Sequence, residues 1–420
     1  MNTADKYNHK YSRVLLCVLF FLVFIVLCLT YFHLKGVDKY PSTIEDTSDK
    51  SSTPLISHQS DCSNPMFYKG ELGETQPSNK RRAVVFMGFQ NKLFAVDAET
   101  GTQKWKMQFE NKIADKIAIK NGIIYISIPE VAMLYGIDAE KGTISWERGT
   151  QGSGYRISVM GKHIYVICGN NKQESSIYAY TLGKGNDIAW SKALDQSSKG
   201  YVGIGKNTIY VDGIAPRSLS ALAADSGEVI WTNNNIDVTG FPVVGIKHIF
   251  ICCTNHNFVK AINKKDGSIV WQTKLPGGAM SLPCVHEGKI FVGAFTGNIN
   301  TFCVLSEKDG KIIWERSFAE HDLFSIAAAE QTVFVAGPDD NLKAYEISNE
   351  KLLWASDLNN IPFGNRLRWP TCPIIASSNV IVLCTSGLKA YNTETGQRVW
   401  TYRFEEEPVF FDYTSPIAAD

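Results

Sequence analysis

From residue 81 onward the chain alternates short apolar runs with polar turn signals. Val84-Val85-Phe86-Met87 is β-rich, and Lys92-Leu93-Phe94-Ala95-Val96 shows the alternation of a strand. Between that run and Trp105 lies Asp97-Ala98-Glu99-Thr100-Gly101. Asp can bond its own backbone two residues on, and Gly accepts the positive φ that closes a short β-loop, so this segment predicts a hairpin turn. The tryptophan then falls in the last strand of the unit, where its large apolar area suits a seam with a neighbouring unit.

The pattern repeats. Trp105, Trp146, Trp190, Trp231, Trp271, Trp314, Trp354 and Trp400 follow one another at intervals of 41, 44, 41, 40, 43, 40 and 46 residues. A period in the low forties is the signature of a propeller or solenoid, and eight evenly spaced tryptophans read as structural seam residues. Asp138-Gly142-Trp146 is an intact copy, and Asn263-Gly267-Trp271 and Asn392-Gly396-Trp400 substitute Asn, which makes the same turn bond. Gly227-Trp231 and Gly310-Trp314 keep only the last two elements, with Ala223 and Ser306 in the first place. Before Trp190 the glycine slips to Gly185, and before Trp354 the pair becomes Glu346 and Glu350.

The two ends of the repeat region are complementary. The first copy begins at its second strand, around Val84, whereas the tail from Pro408 to Asp420 resembles an opening strand with no second strand after it. The expected architecture is an all-β, eight-bladed propeller of four-stranded blades, in which the C-terminal strand completes the first blade and leaves no sheet edge at the join. An open solenoid is the runner-up, and it would need capping units at both ends.

Upstream the pattern changes. Val14 through Leu34 is an uncharged run of 21 residues, long enough to cross a bilayer as a helix, and it ends without the small-residue site of a cleaved signal peptide. Lys6, Lys10 and Arg13 precede it and Lys35 and Lys39 follow, a small bias that favours a cytoplasmic N-terminus and an exported body; a cytosolic propeller on a membrane tether is the alternative. The expected order is a cytoplasmic tail (1–13), a transmembrane anchor (14–34), a flexible linker (35–80) and the propeller (81–420). Expected for such a chain is the bacterial inner membrane, with the propeller in the periplasm. Asn-x-Ser/Thr acceptor sites are absent from the chain, which leans the same way.

Composition narrows the partners. Forty-two basic and 42 acidic side chains cancel, so no basic face for nucleic acid is expected. Of the ten cysteines, Cys17 and Cys28 lie in the apolar N-terminal run, and most of the others sit in strand-like runs without metal-ligand spacing. They read as core residues, with one or two disulfides open. Cys253-Thr254-Asn255-His256 lacks a second ligand pair for zinc, no nucleophile elbow or phosphate loop occurs, and Gly152-Ser153-Gly154 and Gly277-Gly278 read as blade-connecting loops.

The stretches ending at Trp105 and Trp146 resemble the repeat of pyrroloquinoline-quinone-type (PQQ-like) propellers, over about residues 82 to 420. That resemblance implies one of two kinds of chemistry. Quinoprotein dehydrogenases hold a quinone and calcium at the propeller axis, and Cys252-Cys253 resembles the vicinal disulfide of that branch, although Ile249 to Thr254 reads as one continuous strand. BamB-like scaffolds of the outer-membrane barrel-assembly machinery are non-enzymatic. Fold does not choose between them, but the even spacing leaves little chain for a lid. The expectation is therefore a scaffold with no cofactor, no catalytic or metal residues and no small-molecule substrate, bound to barrel-assembly proteins or, alternatively, to a secretion machine. That branch is lipid-attached, whereas residues 14–34 read as a helix. The candidate partner-binding residues are Phe363, Arg366, Arg368 and Trp369, in the longest interval between repeats; Arg and Trp are frequent interface anchors, while simple packing of the loop aromatics is the alternative.

Overall fold

The computed structural model describes residues 83–419 apart from 115, 170–173, 183–186, 196–199, 216, 237, 239, 241, 254–256, 280–282, 297–298, 319–324, 337–340, 359–372, 385–386 and 406–416. The expected anchor and linker lie outside these residues, as does Gly185. Among the described residues no helix is long and apolar enough to cross a membrane.

Eight antiparallel sheets form eight blades, numbered here in chain order. Blade 1 contains Val84–Phe89, Lys92–Asp97 and Gln103–Gln108, and its fourth, innermost strand is Ile417–Ala419. That strand pairs antiparallel with the first, Val84 opposite Ala419 and Phe86 opposite Ile417, so the C-terminus closes the ring as expected. Inner strands touch one another in turn from blade 1 to blade 5, and from blade 6 round to blade 1, which places them at the propeller axis. Blade 6 departs slightly: its inner strand is split into Gly278–Ala279 and Cys284–His286, both paired with Lys289–Thr296.

Burial follows position in the blade. The middle strand Lys92–Asp97 is buried along its whole length, including Lys92 and Asp97. Its polar-apolar alternation therefore does not report a solvent face, because both faces of a middle strand are covered by neighbouring blades. The outer strand Gln103–Gln108 does alternate, and so do its counterparts Ile144–Gly149 and Leu352–Asp357. Apolar packing is divided into eight layers, each drawn from two adjacent blades, as in the layer joining Val85 and Phe94 of blade 1 to Ile381 and Leu388 of blade 8.

The repeat motif works at these seams. Asp97 Oδ1 accepts from the amides of Glu99 and Thr100, both at 3.0 Å, while Gly101 at φ 71° donates its amide to the Asp97 carbonyl at 2.9 Å. Asn392 reproduces the turn, accepting from Glu394 and Thr395 at 3.0 and 2.9 Å. The glycine serves the neighbouring blade as well as its own turn. A Cβ on Gly142 would lie 2.5 Å from the Trp105 ring, and one on Gly101 would lie 2.7 Å from Trp400. Seven of the eight repeat indoles donate to the carbonyl just after the turn's first residue in the next blade: Trp105 to Ala139 (3.0 Å), Trp231 to Lys264 (2.9 Å), Trp354 to Thr393 (3.0 Å) and, across the closure, Trp400 to Ala98 (3.1 Å). Trp190, Trp271 and Trp314 do the same with Ala224, Glu307 and Ile347.

Two loop assignments change. Gly152, at φ 108°, lies in a connection, but Ser153 and Gly154 already belong to the inner strand of blade 3, and Gly278 belongs to that of blade 6. Glycine at these places thins the inner strand where backbones approach: a Cβ on Gly152 would sit 2.5 Å from the Gly169 carbonyl oxygen.

Candidate functional site

Phe363, Arg366, Arg368 and Trp369 lie outside the described residues. The chemically distinctive cluster within them is at the axis, on or just before the inner strands of blades 2 to 4, Ala118–Lys120, Ser153–Met160 and Val202–Ile204. In these blades Ala118, Ser158 and Gly203 pair with Tyr125, Tyr165 and Tyr210 of the adjacent strands. Those pairings mark one structural level. Two residues upstream in each blade stand Lys116, Arg156 and Tyr201, so three successive blades present a cation, a cation and a phenol at equivalent places.

A register shift between Gly154 and Arg156 makes Tyr155 an extra residue, and such bulges re-aim side chains. The Arg156 guanidinium carbon lies 4.8 Å from the Tyr201 ring centroid and 5.8 Å from that of Tyr155. Tyr155 shares a hydrogen bond of 3.2 Å with Ser175, and Gly200 passes so close that a Cβ there would meet the Tyr155 hydroxyl at 3.2 Å. The Tyr201 amide donates to the buried Asp212 carboxylate at 2.6 Å. Burial, then the nearby Arg156 charge, lowers the Lys116 ammonium to about 7. Tyr201 is raised by burial; Arg156 opposes that shift and Asp212 adds to it. Lys116, Tyr155 and Arg156 are all half-buried. No short motif marks this cluster. Its signal is positional, visible only when the inner strands are aligned on their tyrosine partners.

The cysteines behave as packing residues. Cys168, Cys252, Cys303 and Cys384 carry buried reduced thiols, and burial pushes Cys168 and Cys303 up to about 12, which leaves them inert as nucleophiles. Cys252 is thus not half of a vicinal disulfide, and its strand, His248–Cys253, runs in unbroken register from His248 opposite Asn263 to Cys253 opposite Phe258. Cys284 is disulfide-bonded. Among the described residues no cluster of three or more His, Cys, Asp or Glu side chains could hold a metal ion.

The closed ring, the turn glycines under indoles and the indole bonds across successive blades define a PQQ-like repeat β-propeller. The chain belongs to the family described as outer membrane protein assembly factor BamB, whose sequence profile matches residues 57–172, 215–323 and 255–415. The BamB of Yersinia pestis is 23% identical over 201 residues, which is 43% of this chain and 51% of that protein, so the chain spans about half the length of this curated relative. Among solved structures, BamB from Moraxella catarrhalis superposes with a TM-score of 0.51 at 12% identity, covering 74% of this chain and 93% of that one. AztD from Citrobacter koseri gives 0.57 at 11% identity, covering 81% and 98%. At such identities these two superpositions speak to fold alone.

Proposed function

We propose that the chain is a non-enzymatic, membrane-anchored scaffold of the bacterial envelope, held by residues 14–34 with the propeller in the periplasm, where it binds other envelope proteins. The observation that carries this reading is membership of the BamB family across both halves of the propeller. The Yersinia pestis relative is described as an outer membrane assembly factor, which makes barrel-assembly proteins the first partners to seek. The disulfide at Cys284 supports an oxidising compartment. The fold suits recognition: loops cluster on two faces, and the outer strand of every blade leaves an edge to which a partner strand could add.

The test is affinity capture of the full chain from detergent-solubilised membranes, with mass spectrometry of co-purifying proteins and small molecules. Recovery of barrel-assembly components is the expected result, and recovery of secretion components would move the scaffold to another machine. A stoichiometric quinone with calcium would overturn the reading. Within that experiment, replacing Arg366, Arg368 and Trp369 together with Ala is expected to weaken capture while leaving the melting transition unchanged; wild-type capture would exclude that loop.

A further inference from the structure

Among the described residues four buried side-chain nitrogen or oxygen atoms lack a hydrogen-bond partner: Arg148 Nη1, His163 Nδ1, His248 Nδ1 and Glu307 Oε1. Three of them belong to one repeated joint between blades. His163 and His248 open the second strands of blades 3 and 5, opposite Thr181 and Asn263. Glu307 stands just after the first residue of the blade 6 turn, and its carbonyl takes the Trp271 indole of blade 5. Other blades fill the strand position with Val84, Ile123, Thr208, Lys289, Thr332 and Asn379. Asn379 shows the place satisfied, for its Nδ2 donates across the closure to the Ala98 carbonyl at 2.9 Å.

His163 makes no such bond. The equivalent carbonyl, that of Ala224, already accepts from the Trp190 indole and the Tyr165 hydroxyl, both at 3.0 Å. The imidazole faces Asp225 instead, with Nδ1 to Oδ1 at 3.6 Å, beyond hydrogen-bond length. Lys192 donates to the Gly227 carbonyl at 3.1 Å, so blade 3 converges on the 223–227 turn of blade 4 from several sides. The charged and titratable groups around the ring are few among the described residues. Lys162 lies 3.7 Å from the same Asp225 oxygen, Lys120 of blade 2 reaches the Gly161 carbonyl, and Tyr165 meets the imidazole edge-on at 6.1 Å, its phenol kept neutral by burial. The His163 side chain is 2% exposed and that of Asp225 74%, so water screens most of the attraction between them. Burial lowers His163 below its ordinary value of 6.5; Asp225 opposes this, Lys162 adds to it, and the Ala224 backbone opposes it. The closed joint therefore holds the neutral ring, and a charged ring gains its hydration only if the joint opens.

We propose that the joint between blades 3 and 4 is an acid-released latch, in which His163 takes up the proton and the 223–227 turn is the part that comes free. The latch needs neither a partner nor a membrane, so it is independent of the scaffold reading. The open joint binds the proton more strongly than the closed one. Above about pH 6.5 the latch is at full strength, and it weakens as pH falls below that value.

The test is hydrogen exchange read by mass spectrometry on the full chain in neutral detergent micelles, comparing wild type with His163→Asn at about pH 7.5 and about pH 5. Asparagine is what the closure carries at the same place, and comparing two proteins at one pH cancels the intrinsic effect of pH on exchange. In segment 219–233 the ratio of wild-type to variant exchange is expected to rise at least about threefold between the higher and the lower pH. In segment 387–403 of blade 8 the ratio is expected to stay constant. A ratio in 219–233 that does not change with pH, or one that rises equally in all blades, would overturn the proposal. Should His163→Asn not melt cooperatively, Asp225→Asn takes its place. Removing the carboxylate that favours the charged ring is expected to move the acid onset of exchange to lower pH, and an unmoved onset counts against the latch.

Discussion

Glu350 shows what the repeat glycine does by taking its place. It adopts φ 55°, the left-handed region, where Gly101, Gly142, Gly227, Gly267, Gly310 and Gly396 stand in other blades. The indole that crosses to this turn is that of Trp314, whose Nε1 donates to the Ile347 carbonyl at 3.2 Å. Glu350→Gly is therefore expected to stabilise the propeller by about 1 kcal/mol, read as a higher urea midpoint at constant slope. Two other glycines separate strain from collision. Gly122 and Gly142 have similar φ, 70° and 65°, but a Cβ at Gly122 meets nothing within 4 Å while one at Gly142 strikes the Trp105 ring. Gly122→Ala is expected to cost about 1 kcal/mol and Gly142→Ala ~3 kcal/mol or more; equal costs would show that the indole gives way freely.

Within a blade, the turn and the indole bond act together. Asp138→Ala is expected to cost about 1 kcal/mol through loss of the bonds to Glu140 and Lys141, while Asp138→Asn is expected to be nearly neutral, since Asn263 and Asn392 already fill that place. Thermal melts of the two variants side by side check the difference. This layer of the fold was the most legible in the sequence, because turn chemistry is local and an indole every forty-odd residues has few uses other than a seam. Inner strands were harder to read. Ala118–Lys120 and Val202–Ile204 are three residues long, too short for a period to register, and the split inner strand of blade 6 carries no sequence mark. The axial cluster was missed for the same reason. Lys116, Arg156 and Tyr201 share no motif, and only strand register brings them to one level.

For the whole molecule, Lys116 couples stability to pH. Its folded pKa of about 7 lies below the ordinary lysine value of 10.5, so between those limits the unfolded chain holds a proton that the folded chain has shed. Stability from this group therefore rises with pH across that window and is lost as pH falls towards about 7. Lys116→Met is expected to stabilise the propeller by about 1–2 kcal/mol near neutral pH and by little above the window, as measured by chemical denaturation at each pH. A gain independent of pH would show that packing, not charge, is responsible. The closure of the ring bears on a different matter, the order of assembly. Val84 to Phe86 belong to the earliest-made strand of the propeller, yet their partners are Ile417 to Ala419. The first blade can therefore be finished only after all the others have been synthesised. Until then its first strand is an open edge, competent to pair with any passing chain, and the interval between exit of Val84 and arrival of Ala419 is when this protein most needs a chaperone.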